Sequence, residues 1–196
     1  MRLYHINPSR STRVLWMLEE IGAPYDLTVL SSWDERETDD FKKLHPLGRV
    51  PVIEEEGGPV FESGAICLHL ADLHPEAGLI GPLDSHERAL AYQWAFFAMT
   101  EIESRGGEVR ANRETNPEVA AAAAEGWQTA AKAVEQELGS NDFIVGDRFS
   151  VADLLLGAVL SAGKRLELLV GMPALEAYVE RLEARPARER ANTIDT

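Results

Sequence analysis

The 196-residue chain predicts two folding units in series: an α/β unit of order β-α-β-α-β-β-α over residues 1–76, and an all-α bundle over residues 85–196. Three observations carry this. Short β-branched and aromatic runs alternate with helical periodicity only in the first third of the chain. The stretch from Pro75 through Asp84 has two prolines, two glycines and no periodicity, so residues 77–84 read as a linker. Beyond it, the apolar residues recur at helical spacing throughout.

Residues 2–6 read as a strand. Ser11 to Ile21 reads as a helix, with Val14, Leu15, Leu18 and Ile21 at helical spacing and Gly22 as its stop. Tyr25 to Leu30 is a second strand, and the resulting β-α-β unit is expected to be parallel and right-handed. Asp34 to Leu44 reads as an irregular, charged helix before the turn Pro46-Leu47-Gly48. Val52 to Glu54 and Pro59 to Phe61 form a hairpin across Glu55-Glu56-Gly57-Gly58. A helix from Ser63 to about His74 completes an order that resembles the thioredoxin-like arrangement.

In the second unit, helices are expected over Ser85 to about Glu108, Pro117 to Leu138, Ser150 to about Leu169, and Pro173 to Ala184. Ser150 and Asp153 have the spacing of a capping box, with Phe149 and Leu154 as its apolar staple. Pro186 to Thr196 reads as too polar to form a substantial helix.

Composition narrows the partners. A formal net charge of -14 argues against nucleic acid and anionic membrane surfaces, which clustered Lys and Arg recognise. Any anionic ligand must therefore find a local positive site. No apolar run approaches the roughly 18–20 residues of a membrane span, and the chain opens directly into a strand, so a cytoplasmic protein is expected. The single cysteine, Cys67, permits no internal disulfide and reads as a core thiol. The five histidines form no metal-binding pattern, and no metal is expected.

The segment from Val50 to Gly64 is the most specific in the chain. Pro51 between two valines at a strand start suits a cis bond, which would leave the Val50 main chain able to pair with an extended peptide. Glu62-Ser63 then places a hydroxyl and free amides at a helix N-terminus, which suits a carboxylate. At this spacing, and with the Ser150/Asp153 box in the second unit, the chain from Leu3 to about Arg185 resembles the soluble glutathione S-transferases.

That resemblance implies glutathione as co-substrate, attack of its thiolate on a small hydrophobic electrophile, and a homodimer. Its activating residue lies between the first strand and the first helix, here Asn7-Pro8-Ser9-Arg10-Ser11-Thr12-Arg13. The Ser-Arg-Ser-x-Arg run is similar to bacterial and fungal serine-type members. Ser9 is the first candidate, four residues before Arg13; Ser11, which also suits a helix cap, and Arg10 follow. Val50 is implied as the main-chain partner of the cysteinyl part, Pro51 as the cis residue, Glu62 and Ser63 as the γ-glutamyl clamp, and Arg49 as partner of the glycyl carboxylate. Tyr92, Phe96 and Arg105 are candidates for the second-substrate pocket. A glutathione-dependent isomerase or dehalogenase, and a non-catalytic glutathione-binding or regulatory protein, remain alternatives.

Overall fold

The computed structural model describes residues 1–194. They form two compact units, Met1–Gly78 together with the described residues from Arg185 on, and Leu79–Ala184.

In the first unit, β1 (Arg2–His5), β2 (Asp26–Val29), β3 (Val52–Glu55) and β4 (Gly58–Phe61) make one sheet in the order β2-β1-β3-β4. β1 and β2 are parallel, as the β-α-β order requires, and the other two pairings are antiparallel. α1 (Ser11–Ile21) ends where Gly22 adopts φ +72° and returns its N–H to the Leu18 carbonyl. The expected helix at Asp34 is divided. A 3₁₀ turn spans Trp33–Glu37, and Thr38 then caps the short α2 (Asp39–Leu44) by accepting from the Phe41 N–H at 3.2 Å.

Strand alternation sorts the core. Leu3 and His5 of β1 are both fully buried on the side of α1 and α3 (Ser63–Leu73), with Val14, Leu15, Leu18, Ile53, Ile66 and Leu70. Ile6, Leu30, Phe41, Val50 and Val52 form a smaller cluster on the other side, capped by Tyr4 and Leu44. Full burial of each such aliphatic side chain is worth about 1.5–3 kcal/mol before entropy is counted.

The C-terminal segment departs from expectation. Pro186–Ile194 is a helix and packs on α1. Its polarity is matched by its surroundings: Arg185 forks onto Glu20 at 2.7 and 2.8 Å, Arg190 reaches the Glu19 carboxylate and carbonyl at 2.8 Å each, and Ala187 and Ala191 are buried. Composition alone misses this, because the partners lie over a hundred residues upstream.

The second unit is helical: α4 (His86–Phe97), α5 (Ser104–Asn112), α6 (Pro117–Leu138), α7 (Val151–Arg165) and α8 (Pro173–Glu183), the C-terminal helix of the first unit being α9. α4 and α5 are one continuous run with a π-helical stretch at Ala98–Glu103, where the sequence suggests a single α-helix ending near Glu108. The capping box at α7 is present: one Asp153 oxygen accepts the Ser150 N–H and hydroxyl at 2.9 and 2.7 Å. Its other oxygen accepts the Ile144 N–H and the Tyr178 hydroxyl at 2.8 and 2.7 Å, so one buried carboxylate ties α7, α8 and the preceding loop together. α7 stops at Arg165, short of the expected Leu169. Glu167 turns to φ +64°, with Leu168 N–H bonded to Gly163 O and Glu167 N–H to Lys164 O, a Schellman ending built on a residue other than glycine.

Candidate functional site

The residues between β1 and α1 form a compact polar knot. After His5 and Ile6 the chain passes through a cis Asn7–Pro8 bond into Ser9 and Arg10, and α1 starts at Ser11. The Ser9 carbonyl accepts from the Thr12 N–H at 3.3 Å and its hydroxyl at 2.9 Å, and the Ser9 hydroxyl oxygen accepts the Ser11 N–H at 3.1 Å. Ser9 is half-buried, Arg10 is exposed, and Ser11 has no exposure at all.

Ser11 is saturated by its surroundings. Its hydroxyl lies 2.6 Å from that of Ser9 and 2.7 Å from His5 Nδ1, and it also meets the Ile6 N–H at 3.3 Å and the Ile6 carbonyl at 3.4 Å. Ser9, Ser11 and His5 therefore form a line of three polar groups running inward from the half-exposed end. α1 has no acidic side chain in its first turn, so the partial positive charge of its N-terminus is not offset there.

The second group of predicted residues surrounds the start of α3. The Val50–Pro51 bond is cis, and Val50 sits just before β3, outside its ladder. Glu62 joins β4 to α3 at φ +71°, a left-handed conformation that costs about 1–3 kcal/mol outside glycine and concentrates at ligand clamps. It turns the chain so that Ser63 opens α3, which likewise has no acidic residue in its first turn. The Glu62 and Arg49 side chains are exposed, whereas Val50, Pro51 and Ser63 are buried.

Two contributors escape the sequence reading. Arg13 is only 6% exposed, and its guanidinium lies 3.4 Å from the Ser63 hydroxyl. Arg13 thus puts a buried guanidinium beside the first residue of α3. His45 is also buried; its Nδ1 accepts the Leu47 N–H at 3.1 Å and its ring lies 4.7 Å from that of Phe61. Burial lowers the His45 pKa, the Glu62 carboxylate raises it and the Arg49 guanidinium lowers it, so His45 senses both exposed candidates. An ionisable residue inside an otherwise apolar or turn pattern is the signal that marks both.

The remaining candidates lie in the second unit. The Tyr92 hydroxyl accepts from Arg88 at 3.0 Å, Phe96 is 65% exposed, and Arg105 pairs with Glu101 at 2.7 Å. The Arg105 guanidinium passes so close to Gly126 that an added Cβ there would stand 2.6 Å from it. Cys67 is fully buried, with its thiol pushed up to about 12, which removes it as a nucleophile at neutral pH. A surface groove of about 520 Å³ lined by Tyr4, Leu30, Phe41 and Leu44, among others, contains none of the candidate residues. Among the described residues no cluster has the make-up of a metal site, and no helix is long and apolar enough to cross a membrane.

Residues 1–72 match the family model for the glutathione S-transferase N-terminal domain, and residues 88–186 that for the C-terminal domain. Glutathione S-transferase 3 of Schizosaccharomyces pombe is 44% identical over 68 residues, 35% of this chain and 28% of that protein. Glutathione S-transferase GstA of Escherichia coli O157:H7 is 27% identical over 173 residues, 86% of each chain. Elongation factor 1-gamma 2 of Oryza sativa subsp. japonica is 32% identical over 130 residues, 64% of this chain and 31% of that protein. This chain thus aligns with about a third or less of two of these three relatives.

Among solved structures, a glutathione transferase from Methylococcus capsulatus str. Bath superposes with a TM-score of 0.89 at 30% identity, covering 99% of this chain and 98% of that one. A sphingomonad glutathione S-transferase complexed with glutathione superposes with a TM-score of 0.89 at 28% identity, covering 100% and 98%. With both domain models matched in order and a 30%-identical structure covered almost end to end, the chain belongs to the glutathione S-transferase family.

Proposed function

We propose that this protein is a glutathione transferase in which the Ser9 hydroxyl stabilises the glutathione thiolate for attack on a small hydrophobic electrophile. One observation carries the choice of Ser9: its hydroxyl is the half-exposed end of the polar line at the start of α1, whereas the Ser11 hydroxyl is enclosed by four polar atoms. Arg10, exposed beside Ser9, is the third candidate. A thiol of pKa near 8.5 needs about 2.7 kcal/mol of differential stabilisation to drop two units. A hydrogen bond to the charged sulfur offers about 1.5–3 kcal/mol, and a helix N-terminus about 0.3–1 kcal/mol more.

The rest of glutathione follows from the same frame. The Val50 main chain beside Pro51 pairs with the cysteinyl part, the Ser63 hydroxyl and α3 amides take the γ-glutamyl carboxylate with Arg13 behind them, and Glu62 takes the ammonium group. Arg49 takes the glycyl carboxylate. Tyr92, Phe96 and Arg105 are proposed to meet the second substrate, and the assembly is proposed to be a cytoplasmic homodimer. The match to an elongation factor subunit favours one alternative, a glutathione-binding protein without turnover. An isomerase or dehalogenase would use the same thiolate.

Calorimetry with reduced glutathione, run beside turnover of a chloronitrobenzene acceptor, tests this. The wild type binds and turns over; Ser9→Ala keeps its affinity within a few-fold and loses about a hundredfold or more in kcat. Undiminished turnover in Ser9→Ala moves the role to Arg10 or Ser11. Binding without turnover selects the alternatives, and absence of binding rejects the glutathione reading.

A further inference from the structure

We propose that the buried His5 receives, through Ser11 and Ser9, the proton that leaves the glutathione thiol. This rests on the thiolate role given to Ser9 above, and adds where the proton goes. The geometry is a chain of two short contacts, 2.6 Å between the Ser9 and Ser11 hydroxyls and 2.7 Å from the Ser11 hydroxyl to His5 Nδ1. Each serine carries one hydroxyl hydrogen, so the chain has two senses.

With Nδ1 unprotonated, Ser11 donates to His5 and Ser9 donates to Ser11, and the Ser9 oxygen can only accept from the ligand's S–H. With Nδ1 protonated, His5 donates to Ser11 and Ser11 to Ser9, and the Ser9 hydrogen is free to point at the sulfur. Only the second sense stabilises a thiolate. The two are related by one balanced shift: the thiol proton passes to Ser9, the Ser9 proton to Ser11, and the Ser11 proton to Nδ1. The S–H bond breaks, an N–H bond forms, and no other reactant is consumed.

The inner end of the line is enclosed. His5 and Ser11 are both at 0% exposure, so the inner end of the line is shielded from bulk water. Tyr4 points to the opposite face of the sheet, where it donates to Glu54 at 2.9 Å. His5 stands opposite Val29 of β2, and Ile53 of β3, opposite Leu3, shares its face of the sheet. Among the ionisable groups of α1 and α3, Arg13 is 6% exposed and Cys67 is fully buried. His5 is thus a positioning residue, which sets the direction of the Ser9 hydrogen through Ser11.

The test counts protons. Glutathione binding is measured by calorimetry in buffers of different ionisation enthalpy, and the thiolate of the same complex by its ultraviolet absorbance. In the wild type, thiolate forms with little proton release to buffer. His5→Asn places an amide where Nδ1 stands, keeping a hydrogen bond to Ser11 while being unable to take a proton. It should bind glutathione normally, release about one proton for each thiolate formed, and lose about a hundredfold in kcat/KM near neutral pH, with the acid limb of its pH profile displaced upward. Ser11→Ala, which cuts the chain without touching His5, should do the same. Wild-type thiolate formed with stoichiometric proton release overturns this inference alone, as does a His5→Asn enzyme with a wild-type pH profile. A wild-type complex without thiolate overturns the Ser9 role as well.

Discussion

At the scale of single residues, the site is set by which polar groups are enclosed and which face outward. Ser9 and Ser11 have the same chemistry two positions apart, and burial separates the roles proposed for them. The motif Ser-x-Ser was legible in the sequence, but its enclosed member was not, because the path of the chain between β1 and α1 decides which hydroxyl faces His5 and Ile6 at the end of β1. His45 offers a test by pH. Burial holds its folded pKa below the ordinary 6.5, so the unfolded chain binds the proton more readily. Its contribution to stability is complete above the ordinary histidine value and is lost as pH falls through the folded value. Urea unfolding across that range should therefore show a smaller loss of stability in His45→Gln than in wild type. Equal losses would remove His45 as the source.

At the scale of elements, helix ends carry most of the specification. Gly22 as the stop of α1 and the Ser150/Asp153 box of α7 were both readable from residue type and spacing. The start of α3 at Ser63 was readable too, though not the φ of +71° at Glu62 behind it, and the end of α7 was not, because it depends on Glu167 taking φ +64°, a conformation its type disfavours. Asp153 shows how much one capping residue can hold. Burial pushes its pKa up, opposed by the Ile144, Tyr178 and Ser150 hydrogen bonds. Asp153→Asn places an amide N–H₂ against groups that are themselves donors, and should cost about 2–4 kcal/mol in urea unfolding while leaving glutathione affinity intact in the folded fraction. A cost below about 0.5 kcal/mol would mean that the carboxylate does not organise this corner.

At the scale of the whole molecule, the α/β order, the parallel β1/β2 pair and the helical second unit followed from periodicity and punctuation. The placement of α9 did not, because what makes a polar C-terminal segment helical is a pair of carboxylates on α1. The Glu20 side chain is only 8% exposed and is shared between Arg185 and the Trp16 N–H at 2.8 Å. Arg185→Ala should thus destabilise the first unit by about 2–3 kcal/mol, read as a shift of its urea midpoint, with no shift contradicting the role given to α9. The central claim is that the start of α1 holds glutathione as a thiolate through Ser9. Ultraviolet titration of the bound thiol tests it most directly: the wild-type complex should be largely ionised at pH 7 and the Ser9→Ala complex should titrate near the free thiol's pKa of about 8.5. A wild-type thiol that titrates like free glutathione would contradict it.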